Sequence, residues 1–250
     1  MAPTSRPGHR YGSLRRRAVA LCAVAVGALS SAGVADARPV GPFDVGGEIE
    51  IAYDQQGGPA VFGDPTSPES DAARGGKYQT FQRDASFYWQ PATGAQSVGG
   101  AIRQKWGQLG SEAGALGYPV TSEQVTPSGG GRFNHFEKGS IYWSLGTAAH
   151  QVGGPIRDKW GAFGWEGGPL GFPLTDEAAA GKGGRYNLFT GGAIYYSSAT
   201  GAHVVWGALR DDWVRAGAEN GRYGYPTGDE YDYEGGKAQE FQGGRITWRP

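Results

Sequence analysis

Four glycines, Gly63, Gly117, Gly171 and Gly224, stand 54, 54 and 53 residues apart, each inside a copy of one phrase. The clearest copy is Leu170-Gly171-Phe172-Pro173, followed by Glu177. Leu116-Gly117-Tyr118-Pro119 is followed by Glu123, and Tyr223-Gly224-Tyr225-Pro226 by Glu230. A worn copy, Phe62-Gly63-Asp64-Pro65, is followed by Glu69. Self-similarity at a fixed period restricts the chain to a repeat architecture, in which one small unit buries its apolar face against its neighbours. The 46 glycines recur in register. They punctuate a fold and do not mark low complexity.

The third unit reads most plainly. Ile156, Trp160 and Phe163 fall at i, i+4 and i+7, the spacing of one apolar helical face. Pro155 suits the first helical turn, where its missing N–H costs nothing. A helix of about two turns is marginal alone, so it must dock through that face. A polar loop over 175–184 then leads to a strand at 185–189, a Gly191-Gly192 hairpin turn, a return strand at 193–196 and a third strand at 202–205. The second unit repeats the pattern with Ile102, Trp106 and Leu109, the fourth with Leu209 and Trp213, and the first with Ile49 and Tyr53.

The predicted units are 46–98, 99–152, 153–205 and 206–250. The fourth carries no third strand, while Pro42-Phe43-Asp44-Val45-Gly46-Gly47 matches the register of Ala149-His150-Gln151-Val152-Gly153-Gly154. Residues 40–45 are therefore expected to supply the strand that the last unit lacks. Closure of that kind removes exposed strand edges. The expected fold is mainly β with one short helix per unit, an α+β repeat closed into a four-fold, propeller-like ring.

The N-terminus reads as an address. Arg6, Arg10 and Arg15-Arg16-Arg17 precede an apolar run at 18–29 and a small-x-small site, Ala35-Asp36-Ala37. This is the pattern of a secretory leader cut after Ala37. The run is shorter than the ~20 apolar residues of a membrane span. The leader holds five of the 23 basic and one of the 24 acidic residues, so the remainder carries 18 and 23, a net charge of −5. That balance gives no basic footprint for nucleic acid. The single Cys lies in the leader, so the rest must be held by core burial without disulfides.

Leu170-Gly171-Phe172-Pro173, with Trp160 before it and Ile194-Tyr195-Tyr196 and Thr200-Gly201-Ala202-His203 after it, resembles the LGFP repeat family. The likeness runs from about Gly46 to the end of the sequence. It is strong in the second and third units, good in the fourth and weak in the first, where Asp64 replaces the aromatic. The resemblance implies a secreted or cell-surface protein of actinobacterial type, whose repeats anchor to or maintain the cell envelope.

The search for chemistry yields little that is catalytic. His135, His150 and His203 remain outside the leader, with no Gly-x-Ser-x-Gly, no His-Glu-x-x-His and no Cys. A catalytic site needs nucleophile, base and orienter together. Glu230-Tyr231-Asp232-Tyr233-Glu234-Gly235 begins like a calcium loop, but Phe241 stands where the last bidentate ligand belongs. No metal or cofactor is expected. Glu69, Glu123, Glu177 and Glu230 recur at one position; they either hold their own loops or offer acceptors to sugar hydroxyls. Trp89, Trp143, Tyr196 and Trp248 end the return strands. Alternation puts Ile194 and Tyr196 on one face and Tyr195 on the other, so one aromatic set is expected at the surface. These eight residues form the candidate ligand-binding set. The expectation is a non-catalytic, wall-associated module binding glycan or glycolipid. The alternatives are a structural protein, an envelope-protein partner, and an envelope-active hydrolase.

Overall fold

The computed structural model describes residues 37–250. The expected leader lies outside them, apart from Ala37. Among the described residues no helix is long and apolar enough to cross a membrane.

The chain opens with a hairpin, β1 (Arg38–Val40) and β2 (Phe43–Val45), then α1 (Gly47–Gln55) and α2 (Gly58–Phe62). The first sheet is β3 (Ser70–Asp71), β4 (Lys77–Phe81), β5 (Ala85–Gln90) and β6 (Gly94–Gly99). Then come α3 (Gly100–Gln108) and the second sheet, β7 (Gln124–Val125), β8 (Gly131–Phe136), β9 (Gly139–Ser144) and β10 (Ala148–Gly153). After α4 (Gly154–Ala162), the third sheet is β11 (Ala178–Ala179), β12 (Arg185–Phe189), β13 (Gly192–Ser197) and β14 (Gly201–Val205). After α5 (Gly207–Arg215), the last sheet has three strands, β15 (Tyr231–Tyr233), β16 (Gly236–Phe241) and β17 (Gly244–Trp248). Every paired strand is antiparallel to its neighbour. The helices, hairpins and third strands lie where the sequence places them. The two-residue strand β11 falls within the loop expected over 175–184, and β3, β7 and β15 hold the same place in the other units; each is too short to carry a period.

Each of the first three sheets is covered on both faces. Ile194 of β13 joins the core that holds Ile156 and Trp160 of α4, while Tyr195 joins the next core, with Leu209 and Trp213 of α5. The same edge-on contact links each of the first three sheets to the helix that follows. Tyr88–Trp106, Tyr142–Trp160 and Tyr195–Trp213 have ring centroids 4.6, 4.6 and 4.7 Å apart. Such T-shaped pairs contribute about 1 kcal/mol beyond area burial.

The repeated phrase is the socket for the helix aromatic. The Trp106, Trp160 and Trp213 indole N–H groups donate to the carbonyls of Gly117, Gly171 and Gly224 at 3.1, 3.1 and 2.9 Å. The Tyr53 hydroxyl does the same to Gly63 at 2.8 Å. Gly171 has φ +66°, and a Cβ there would fall 2.1 Å from Thr190 Oγ1, so only glycine fits. Leu116 and Leu170 are buried, and the Tyr118 and Tyr225 hydroxyls reach back to the carbonyls of Ala73 and Gly181 in the preceding units.

The expected ring is not formed. Among the described residues no ladder joins the first sheet to the last, and residues 38–45 pair with themselves, not with β17. The register assigned to Val45 is right: it holds the place of Val98, Val152 and Val205 before a helix. It serves the first unit, however, packing with Ile49, Tyr53 and Phe87. The far face of the last sheet is a polar cap. Where the third unit has Leu188, Ala193 and Tyr195, the fourth has Glu240, Arg245 and an exposed Thr247. An open array needs polar ends to stay soluble, and this one was not recognised in the sequence because three scattered substitutions make it.

Candidate functional site

The two candidate sets come together. In each sheet the first long strand carries a cation directly opposite the return-strand aromatic: Lys77 and Trp89, Arg132 and Trp143, Arg185 and Tyr196, Lys237 and Trp248. The motif glutamate reaches the same cation in three units. Arg132 Nη1 donates to Glu123 Oε1 at 3.1 Å, Arg185 pairs with Glu177, and Lys237 lies 4.0 Å from Glu230. In the first unit Glu69 is exposed, and Lys77 pairs with Asp71 instead, at 2.6 Å.

In the second and fourth units these residues line shallow grooves at the start of a helix. One, of about 240 Å³, is lined by Gly99, Gly100, Ala101, Ile102, Glu123, Arg132 and Trp143. Its counterpart in the last unit, about 370 Å³, is lined by Trp206, Gly207, Ala208, Leu209, Glu230, Lys237 and Trp248, with Gly191. The residues correspond one to one, and Trp206 adds a second indole where the other groove has Gly99. Glu69 lines a larger hollow of about 690 Å³ with Gly46, Gly47 and the N-terminal hairpin. The carboxylates also pack on the helix starts: a Cβ on Gly99 or Gly153 would lie 3.3 or 3.4 Å from Glu123 or Glu177 Oε2. Negative charge is favoured there by the helix dipole.

Exposure sorts the aromatics. Tyr142 and Tyr195 are buried, and Tyr88 is half-buried against Trp106, so this set forms the contacts between units. Trp89, Trp143 and Tyr196 are half-buried, and Trp248 is 40% exposed. Trp248 is thus the exposed member of the return-strand set, while Trp89, Trp143 and Tyr196 also pack against the cores of their own units. A third strand lies beside each of the first three: Ala95, Ala149 and Ala202 face Trp89, Trp143 and Tyr196.

The carboxylates that hold loops by backbone N–H are others. Glu112 accepts from Ala73 N at 3.1 Å and Glu219 from Gly181 N at 2.9 Å, each tying a unit to the one before it. Glu166 accepts from Ser128 Oγ at 3.0 Å. Sequence reading passed over this set, although its spacing of 54 and 53 residues was visible. It also passed over Asp176 and Asp229. Asp176 accepts from Lys105 Nζ at 2.8 Å and Gln151 N at 2.9 Å, beside His150 Nδ1 at 3.3 Å. Asp229 repeats this with Lys159, Val204 N and His203. Burial pushes the Asp229 carboxyl up, but the nearby His203 imidazole and the Lys159 and Val204 hydrogen bonds outweigh it and hold the pKa at about 2.

His135 is locked into the seam between the second sheet and α4. Its Nδ1 lies 2.7 Å from Ser140 Oγ and 3.3 Å from Arg157 Nη2, and Ser140 is fully buried. Burial, then the Arg157 charge, pushes the imidazole down to about 4. The Ser–His contact thus faces an arginine. Among the described residues no cluster of His, Cys, Asp and Glu could hold a metal ion. In the Glu230–Gly235 segment the acids are tied up locally, Asp232 to Lys237 and Glu234 to Arg249.

No curated protein matches the chain. A family model described as LGFP repeat matches it four times, over residues 62–114, 116–168, 170–221 and 224–250. The first three matches each begin at the motif and run through a sheet into the following helix, a span held by one Tyr–Trp contact, and the fourth covers the last sheet. The indole-to-glycine sockets join one match to the next, and the chain belongs to the LGFP repeat family.

Proposed function

We propose that this chain is a non-catalytic repeat module that works outside the cell and associates with the envelope by binding wall glycan or glycolipid in its repeated grooves. The observation that carries the reading is the recurrence, in the second and fourth units, of one indole, one carboxylate and one cation around a shallow hollow. An indole face stacks on the C–H face of a sugar ring, and the charged pair accepts from and donates to its hydroxyls. Each groove is small and open, so a single site binds weakly. Several sites on one polymer raise the effective affinity by multivalency. The burial of Ser140 and the engagement of His135 by Arg157 weigh against a hydrolase.

The test is a pull-down of the protein on cell wall stripped layer by layer, beside a variant carrying Trp143→Ala, Tyr196→Ala and Trp248→Ala with unchanged circular dichroism. Retention by the wild type and loss in the variant supports the reading and identifies the layer. A wild type that stays in solution overturns it and transfers the weight to a protein-interaction role.

A further inference from the structure

The two ends of the array carry matched, reversed charges at positions that touch between neighbouring units. Within the array, the helix residue after the first buried aliphatic is an arginine: Arg103, Arg157 and Arg210. Arg157 Nε reaches back 2.6 Å to Ser140 Oγ on the preceding return strand. In α1 the same position is Glu50, and at the far end the position of Ser140 is Arg245. The first helix is thus acidic where the others are basic, and the last sheet carries an arginine, paired with Glu240 at 2.5 Å, where the others have Ser or Ala.

The N-terminal hairpin shows what fits against Glu50. Val45 pairs with Arg38, as Val152 pairs with Ser140 and Val205 with Ala193. Arg38 therefore holds the register position of Arg245, and it pairs with both Glu50 and Asp54. Strand β1 imitates β17, reading Arg-Pro-Val against Arg-Ile-Thr. The imitation is weak: β1 has three residues, and Pro39 has no N–H to give. Strand β17 has five residues and no proline, and among the described residues it pairs on one side only, with β16. A strand open on one side is a template for another chain.

We infer that this protein self-assembles head to tail, with β17 of one copy laid along β2 of the next in place of β1, and Arg245 taking the seat of Arg38 against Glu50. The partner is a second copy of this chain. The union gives the last sheet its fourth strand, in the register that β10 has beside β9, and brings Pro42 opposite Trp248 as Ala149 stands opposite Trp143. The contact is heterologous, so it generates a ring or a filament rather than a two-fold dimer.

The test is sedimentation velocity of the full chain over a concentration series. The expected result is a mass that rises with concentration. Arg245→Glu places like charges opposite each other and should raise the dissociation constant by about tenfold or more. Glu50→Arg combined with Arg245→Glu should restore association, since the reversed pair again attracts and Arg38 is repelled from its seat. Arginine is the native residue at this helix position in the other units, so the fold tolerates it. Should Arg245→Glu fail to fold by circular dichroism, Arg245→Gln gives the same readout with a smaller shift. A monomer at every concentration overturns the inference. So does association that charge reversal at Arg245 leaves unchanged.

Discussion

The side-chain amide of Gln239 donates to the backbone carbonyl of Val204 across 2.7 Å, joining the last sheet to the third strand of the sheet before it. Its second hydrogen goes to the Gly228 carbonyl at 2.9 Å, in the loop after the motif proline. Asn187 repeats the clasp on Gln151 and Thr175, Asn134 on Ser97 and Thr121, and Gln79 on Asp44 and Ser67. All four amides are fully buried. Each donates to one carbonyl of its own loop and one of the preceding unit or, for Gln79, of the N-terminal hairpin, which is how a polar residue specifies register inside an apolar seam.

Replacing Asn187 by Leu leaves the Gln151 and Thr175 carbonyls without these donors. The expected cost is about 1–2 kcal/mol: the Thr175 carbonyl loses this donor, while the Gln151 carbonyl keeps the Glu177 N–H and an unpartnered Asn187 Oδ1 is removed. Urea unfolding measures it. A loss under ~0.5 kcal/mol would show that the clasp is dispensable.

Tyr195→Thr installs at an inner seam the residue that caps the end at Thr247. The edge-on contact with Trp213 and the stacked contact with Tyr186 are both lost. The expected destabilisation is about 2–4 kcal/mol, in the range for large-to-small core changes. Because units interact only with neighbours, hydrogen exchange should quicken most in the third and fourth units. An even quickening across the chain would contradict a modular array.

His135 gives an acid-sensitive seam. Its pKa lies at about 4 in the folded chain against an ordinary 6.5, so the unfolded state binds the proton first on acidification. Stability from this group is fully present above 6.5 and drains as pH falls toward 4. His135→Gln removes that drain, and the melting temperature should then fall less between those two pH values than in the wild type. Parallel curves would refute the assignment.

Asp229 acts lower on the scale. Its folded pKa of about 2 lies below the ordinary 3.8, so its contribution is present above 3.8 and is lost as pH falls toward 2. Asp229→Asn should flatten the stability curve in that window and lower stability at neutral pH. Acid unfolding followed by circular dichroism reads both effects.

Trp248 is the most exposed indole of the candidate set, and the fourth groove places Trp206 beside it. Titration with wall oligosaccharide should change tryptophan fluorescence in the wild type, and Trp248→Ala should remove most of the change. Removal of one stacking ring is expected to weaken a weak site by about tenfold, roughly 1.4 kcal/mol. An unaltered fluorescence titration in the variant would exclude this groove.

The repeat, its period, the helix faces and the hairpins were legible because each is a local pattern. Ile156 and Trp160 sit four apart on one helix, and Arg185–Phe189 alternates. The motif glycine was legible as punctuation, though not as the acceptor for an indole 11 residues earlier. The eight candidate site residues were found as two separate sets, since Glu123 and Trp143 are 20 positions apart and meet only when β8 brings Arg132 between them. The loop-holding carboxylates and the Asp176 and Asp229 clusters were missed because their partners lie in neighbouring units, up to 71 residues away.

Sequence alone determined that this chain is built from repeated units with one docked helix each, because periodicity follows from chain geometry within a unit. Only the tertiary structure decided that the array stays open. Val45 reads the same in either case, and its partner is chosen by long-range strand pairing. Only the structure, too, separated the two aromatic sets: Tyr195 and Tyr196 are both large and amphipathic, but the next helix buries Tyr195 and leaves Tyr196 half-buried.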